Sequence, residues 1–287
     1  MTVSSVNEFL IQHLHALVGD RHPRSSPGGL LLAEQYVTRH FQQLELTVTP
    51  HCFDATGGTY RNIVGILPAP DWPTAAPVIV AAHYDTVAYS PGADDNASGL
   101  AVMLEAARCL RTTRLRRAVH FIAFNLEEAE LLGSLAYAAR LREREETLYG
   151  AIVLECVGYA SSDPGSQHVP PGLPLAIPSI GNFLGIVGNQ QSAGLVSTIE
   201  EAAKRSVEDL KTVSLVVPGQ GESFPDTRRS DHAAFWDHGY HAVMLTDTAN
   251  FRNPHYHQPT DVIETLDLEF MDKVVRLVVA VCKEGDA

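Results

Sequence analysis

The residues from Ala81 to Gly99 constrain this chain more than any others. They read Ala-Ala-His83-Tyr-Asp85-Thr, then a short loop, then Pro91-Gly-Ala-Asp94-Asp95-Asn96-Ala-Ser-Gly99. The apolar run Ala76 to Ala82 just before them predicts a buried strand. His83 and Asp85 follow at its C-terminal end; two residues apart on extended chain, they point to the same side. That end of an α/β sheet is where ligands bind. From Asn96 to Leu110 the apolar residues Leu100, Val102, Met103, Ala106, Ala107 and Leu110 fall at helical spacing. Asp94 and Asp95 therefore occupy a tight Gly/Pro-bounded loop at a helix N-terminus. Taken singly, Asp94, Asp95 and Asn96 also fit helix caps, and His83 also fits a satisfied buried histidine.

Strand and helix signals alternate through the rest of the chain. Residues 2–18 and about 27–43 read as helices, joined by the link Gly19 to Gly29, rich in Pro, Gly, Ser and Arg. Strands are expected at Leu44 to Phe53, Tyr60 to Leu67, Ala118 to Asn125, Tyr149 to Val157, Thr212 to Val217 and His241 to Thr246, with a short extended piece at Gly185 to Gly188. Helices are expected at Leu132 to Glu145, Ser192 to Lys211 and Leu268 to Lys283, with another opening at Ser230-Asp231-His232. The stretch Gly158 to Asn182 is a long Pro/Gly/Ser-rich loop, and long loops in compact domains are often functional. No linker divides the chain. One α/β domain over residues 1–287 is expected, its central sheet covered by helices on both faces. With 287 residues, 45% of them hydrophobic, the chain can bury a sizeable core.

The net charge of −13 counts against nucleic acid or an anionic membrane as the main partner. No apolar run is long enough to span a bilayer. The N-terminus lacks a basic region followed by an apolar core and does not look like a secretory signal. Cys52, Cys109, Cys156 and Cys282 are scattered and read as reduced thiols. These features together give the expectation of a cytoplasmic protein.

Polar residues collect at the C-terminal ends of the expected strands: His83, Asp95, Glu127, Glu128, Glu155 and His257. Zinc takes imidazole nitrogen and carboxylate oxygen ligands. Two histidines with three or four carboxylates suit two metals sharing a bridging carboxylate, such pairs standing ~3.5–4 Å apart. A remaining carboxylate is available as general base. Asp85 would orient His83, and Asp261 would orient His257. Glu155, inside the run Ala151-Ile-Val-Leu-Glu-Cys-Val, is costly to bury alone; a metal or a buried arginine partner would remove that cost. Glu127-Glu128 alone fits a helix start, and His255 with His257 fits the surface.

The motifs resemble the zinc-dependent aminopeptidase family that includes bacterial leucyl aminopeptidases, glutamate carboxypeptidase and transferrin-receptor domains, and glutaminyl cyclases. The matching pieces are His83-Tyr-Asp85-Thr, Pro91 to Gly99, Phe121 to Glu128 running on to Leu132-Gly-Ser134, Leu154 to Gly158, and Tyr256-His257-Gln-Pro-Thr-Asp261. They occur in the family's order and cover nearly the whole chain. The resemblance implies a phosphorylase/hydrolase-like fold, a mixed sheet between helices, and two Zn2+ ions per chain. His83 and Glu155 would hold one zinc, Glu128 and His257 the other, with Asp95 bridging. Glu127 would be the general base toward a metal-bound hydroxide, and Tyr256 would polarise the substrate carbonyl. The family usually has aspartate where this chain has Glu155. The implied activity is removal of N-terminal residues from peptides with a free N-terminus. Three other activities compete. A carboxypeptidase would need a cation for the substrate carboxylate, with Arg228 or Arg229 as the candidates. The others are a one-zinc glutaminyl cyclase and a non-enzymatic binding domain of the same fold.

Overall fold

The computed structural model describes residues 3–71, 73–170 and 177–283. Two helices open the chain, α1 (Val3–Leu17) and α2 (Pro27–Gln43). Pro27 stands at the first turn of α2, where its missing N–H costs nothing. Strands β1 (Thr47–Ala55) and β2 (Gly58–Leu67) form an antiparallel hairpin. Then follow β3 (Val78–His83), α3 (Gly99–Leu110), β4 (Val119–Phe124), α4 (Leu132–Glu143) and β5 (Gly150–Glu155). The last third holds β6 (Phe183–Asn189), α5 (Ala193–Ser206), β7 (Lys211–Val217), α6 (His232–Asp237), β8 (Ala242–Thr246) and α7 (Leu268–Lys283). Expected and observed elements agree in type throughout. The boundaries of α2 and α7 agree to the residue.

All eight strands join one mixed sheet in the order β1-β2-β4-β3-β5-β8-β6-β7. The central four, β4, β3, β5 and β8, run parallel. Apart from the half-buried His120 of β4 they are buried on both faces, and β3, β5 and β8 read as near-continuous apolar runs, as a covered parallel sheet requires. Helices α1, α2, α3, α5 and α7 cover one face, with Leu10, Leu14, Leu100, Met103, Val274 and Val278 in the core. Helices α4 and α6 cover the other, around Phe124, Tyr137, Phe235 and Trp236. Gly65 on β2 admits the Phe41 ring of α2, since a Cβ there would stand 2.7 Å from it.

Because β3, β4, β5 and β8 are parallel, their C-terminal ends open on one side of the sheet. His83 ends β3 and Glu155 ends β5. Glu127 follows β4, and Asp247 follows β8. No helix among the described residues is long and apolar enough to cross a membrane. All four cysteines are free.

Candidate metal centre

Two groups of ligand-type atoms meet at this open end, one formed by His83, Asp95 and Glu155 and the other by Asp95, Glu128 and His257. His83 Nε2 lies 3.2 Å from Asp95 Oδ1 and 3.4 Å from Glu155 Oε2. His257 Nε2 lies 2.9 Å from Asp95 Oδ2 and 3.3 Å from Glu128 Oε2. Asp95 therefore turns one oxygen to each group. Two ligands of one tetrahedral zinc, at ~2.05 Å each, stand ~3.3 Å apart. His83 Nε2, Asp95 Oδ1, Glu128 Oε1 and His257 Nε2 are all buried and make no hydrogen bond. Buried polar atoms without partners are rare; His83 Nε2 and Asp95 Oδ1 face each other at ligand spacing, and His257 Nε2 faces Asp95 Oδ2 and Glu128 Oε2. The residues thus fit two borderline dications such as zinc. Glu127 stands beside them, its Oε2 3.8 Å from His83 Nε2, and belongs to neither group.

The backbone around these ligands is irregular. Residues 93–98 form one wide helical turn, in which the Asp95–Asn96 peptide is cis. Leu126, Cys156 and His257 have φ of 58°, 49° and 60°, in the left-handed region that non-glycine residues seldom occupy. Cys156 adjoins Glu155, His257 is itself one of the grouped residues, and Leu126 leads into Glu127 and Glu128; strained backbone collects in this way at functional sites.

Both expected orienting carboxylates bind backbone. The Asp85 carboxylate stands 3.6 Å from His83 Nδ1, and the nearer contact of the ring is the Asp85 carbonyl oxygen at 3.2 Å. The Asp85 carboxylate accepts the backbone N–H groups of Glu127 and Glu128, both at 3.1 Å, and so fixes the turn that carries them. Asp261 does not pair with His257. Its two oxygens accept the backbone N–H groups of Asp94 at 2.9 Å and Asp95 at 3.2 Å. In both cases free N–H groups beside the strand end or in the wide turn bind the carboxylate.

Some residues that hold the site were not assigned a role from the sequence. Ser230 Oγ donates to Glu155 Oε2 at 2.7 Å, and no arginine ion pair to Glu155 occurs among the described residues. Asp94 accepts from Gly158 N and from Asn253 Nδ2, tying three loops together. Asp231 is fully buried. Burial pushes its carboxyl up to about 7. Tyr256 stacks on the His257 ring at 3.9 Å between centroids, and its hydroxyl accepts from Arg229 Nη2 at 3.2 Å. Arg228 is bound to Asp237 and to the Gln220 carbonyl.

The ligands' charges are mutually dependent. Burial pushes Glu127 well above the carboxylate range against the pull of His83, and the charges of Glu155 and Glu128 add to the rise. Burial and the neighbouring Asp95 push Glu128 up to about 7. Burial disfavours charge on His257, but Asp95 and Glu128 outweigh it and raise the ring to about 10. Burial likewise opposes charge on Asp95, yet His257 and His83 hold its carboxyl below the usual range. These protons occupy positions that a bound cation takes over, so metal uptake releases protons.

Beside the ligands lies a cavity of about 300 Å³. Its walls are apolar, with Phe183, Val187, Leu215, Met244 and Phe224 among them, and Glu155 and Tyr256 line it on the metal side. The loop 158–182 contributes Gln167, Pro170 and Ile177; residues 171–176 lie outside the described residues. The loop ahead of Ser230 contributes Ser223 to Thr227 and Arg229.

Residues 62–282 match peptidase family M28. The uncharacterized protein YfbL of Escherichia coli (strain K12) is 37% identical over 270 residues, which cover 88% of this chain and 80% of that protein. The solved structure of BSAP, a zinc aminopeptidase from Bacillus subtilis, is 30% identical with a TM-score of 0.62. That match covers 79% of this chain and 50% of BSAP, so the chain spans about half of that protein's length. The glutaminyl cyclase of Porphyromonas gingivalis shares the fold, with a TM-score of 0.72 at 17% identity over 98% of this chain and 97% of the cyclase. By the extent of the family match and the ligand-type residues that its fold gathers, the chain belongs to peptidase family M28 and is a hydrolase.

Proposed function

We propose that the chain is a dinuclear zinc aminopeptidase, releasing N-terminal residues from peptides that carry a free α-amine. The observation that carries this reading is the double aim of Asp95, whose Oδ1 faces His83 and whose Oδ2 faces His257. His83 and Glu155 would hold one ion, Glu128 and His257 the other, with Asp95 between them. When bound, the ions supply Lewis acidity and make water more acidic. The protein's own groups do the rest. Glu127 accepts a proton from the attacking water and delivers it to the leaving amine nitrogen. Its buried position, with a raised proton affinity, suits a group that must hold that proton between the two steps. The Tyr256 hydroxyl accepts from Arg229, which leaves its own O–H to donate to the carbonyl oxygen as negative charge develops there. The apolar cavity receives the side chain of the N-terminal residue and excludes water from it.

Two observations favour an aminopeptidase over a carboxypeptidase. Arg228 is committed to Asp237, and Arg229 to Asn250 and Tyr256. Neither is free to anchor a substrate carboxylate. The fold shared with a glutaminyl cyclase keeps that activity as the second reading, but a second complete ligand group favours hydrolysis. The test is a panel of free, acetylated and glutaminyl peptides with amidated and free C-termini. Free-amine peptides should be cut whatever their C-terminus, and acetylated ones should resist. Release of C-terminal residues from acetylated peptides would establish the carboxypeptidase. Loss of ammonia from glutaminyl peptides without hydrolysis would establish the cyclase.

A further inference from the structure

Arg21 lies in the link between α1 and α2, a segment that reads from sequence as a plain Pro/Gly/Ser/Arg connection. It is almost fully buried, at 1% exposure, although arginine is seldom buried without a paired acid. Its side chain donates only to backbone carbonyls. Nε donates to Tyr84 O at 2.9 Å, Nη2 to Gly92 O at 2.9 Å, and Nη1 to Gly19 O and Pro91 O at 3.0 Å each and to Leu17 O. Its backbone N–H donates to Thr86 Oγ1 at 3.0 Å, and Gly19 N donates to Pro91 O at 2.8 Å.

The placement of these acceptors matters more than their number. Tyr84 sits between His83 and Asp85. Pro91 and Gly92 begin the wide turn that presents Asp95. The guanidinium therefore ties the strand end carrying one ligand to the loop carrying the bridging ligand. Gly92 has φ of 60°, and a Cβ there would lie 2.3 Å from Asp95 O and 2.8 Å from Arg21 Nη2. The turn is shaped to receive both. No carboxylate neutralises Arg21 directly, so its charge acts across the turn. Burial pushes the guanidinium down to about 10, and Asp95, Asp261 and Asp85 pull it back up. Arg21 itself lies ahead of residue 62, outside the span matched to the family, while the carbonyls of Tyr84, Pro91 and Gly92 lie within it.

We infer that Arg21 is a positioning residue of the metal centre: the N-terminal segment, through its guanidinium fork, sets the spacing of His83 and Asp95 and with it the affinity for the ion they share with Glu155. The inference rests on the two-metal reading above. A lysine at this position keeps the charge but cannot span from Tyr84 O to Gly92 O with a planar fork.

The test uses the full chain as wild type, Arg21→Lys and Thr86→Val. Zinc affinity is read by competition with a chelator, ligand geometry by the visible spectrum of the cobalt-loaded protein, and folding by the melting temperature of the metal-free protein. Arg21→Lys should lose roughly 10–100-fold in zinc affinity for one of two sites, the range for groups that orient ligands. Its cobalt spectrum should change, and saturating zinc should restore most of the turnover. Thr86→Val removes the acceptor that holds the Arg21 backbone N–H, and with it the placement of the fork, and should weaken that site about fivefold. If Arg21→Lys melts lower but keeps wild-type zinc affinity and cobalt spectrum, Arg21 only holds the fold and the inference is overturned. If Arg21→Lys does not fold, Thr86→Val decides: weakened zinc binding supports the inference, and unchanged binding overturns it. A wild-type chain that takes up no zinc would overturn the two-metal reading and this inference with it.

Discussion

The two groups of ligand-type residues share Asp95 but are built differently. The deep half joins His83, at the end of β3, to Glu155, at the end of β5. These strands are neighbours in the sheet, and the His83 side chain is 1% exposed. The outer half joins Glu128, from the turn after β4, to His257, from the long loop after β8, and the His257 side chain is 32% exposed. Sheet pairing holds each member of the deep pair, His83 against Phe124 of β4 and Glu155 against Thr246 of β8. The outer pair depends on loops, and these depend on Asp85 and on the ties that Asp94 makes to Gly158 and Asn253. A deep, strand-held site should hold its ion tightly and exchange it slowly; an outer, loop-held site should exchange faster.

Metal removal tests that contrast most strongly. Exhaustive chelation should abolish hydrolysis, and zinc or cobalt should restore it. Zinc release should show two phases, the faster one being absent in His257→Ala. A single phase carrying two equivalents would mean that the halves are energetically alike, and full activity in metal-free protein would remove both.

Adjacent glutamates separate chemistry from binding. Glu127→Gln should keep both ions while turnover falls by about 10²–10⁴-fold, the usual worth of a general base. Glu128→Gln should lose only the outer ion, with partial rescue by excess zinc. Zinc content and turnover measured together decide this, and loss of zinc from Glu127→Gln with retention in Glu128→Gln would exchange the roles.

The two carboxylates that hold backbone offer a finer test. Asp85→Asn disturbs the Glu127–Glu128 turn, and should weaken the outer site by roughly 10–100-fold with little change in the deep one. Asp261→Asn loosens the backbone of Asp95 and should weaken both sites within that range. Zinc titrations that show the same pattern for the two variants would break the assignment of halves. The smallest effect belongs to Ser230→Ala, which removes one hydrogen bond to Glu155. It should weaken only the deep site, about fivefold, as a net hydrogen bond of ~1 kcal/mol implies. The same titration reads it.

The gathering of His83, Asp95, Glu128, Glu155 and His257 was legible in the sequence because each ends an apolar run whose length and composition already mark a buried strand, or sits in a motif with few alternatives. Glu155 is the clearest case: a carboxylate closing a run of Val and Leu has to be explained by a partner. The orienting contacts were not legible. Asp85 and Asp261 bind backbone N–H groups, and sequence spacing does not say which N–H groups a turn leaves free. Ser230 reaches Glu155 across 75 residues, and no local pattern connects them. Arg21 was hidden for a related reason, since its acceptors are carbonyls that every residue possesses. The Gly185 to Gly188 piece grew into the seven-residue strand β6 because glycine lowers strand propensity, while pairing with β7 and β8 on both sides supplies the order.

The position of β8 bears on how the chain is made. It is the last strand in sequence, yet it lies inside the sheet, between β5 and β6. During synthesis the β1–β5 block and the β6–β7 pair must each wait with an open edge until residues 242–246 leave the ribosome. Unpaired edges of apolar strands are sites of wrong pairing, and long-range closure of this kind is slow. His257 emerges later still. Those edges stay open until residues 242–246 arrive, and the two groups of ligand-type residues are all present only once residue 257 has been translated.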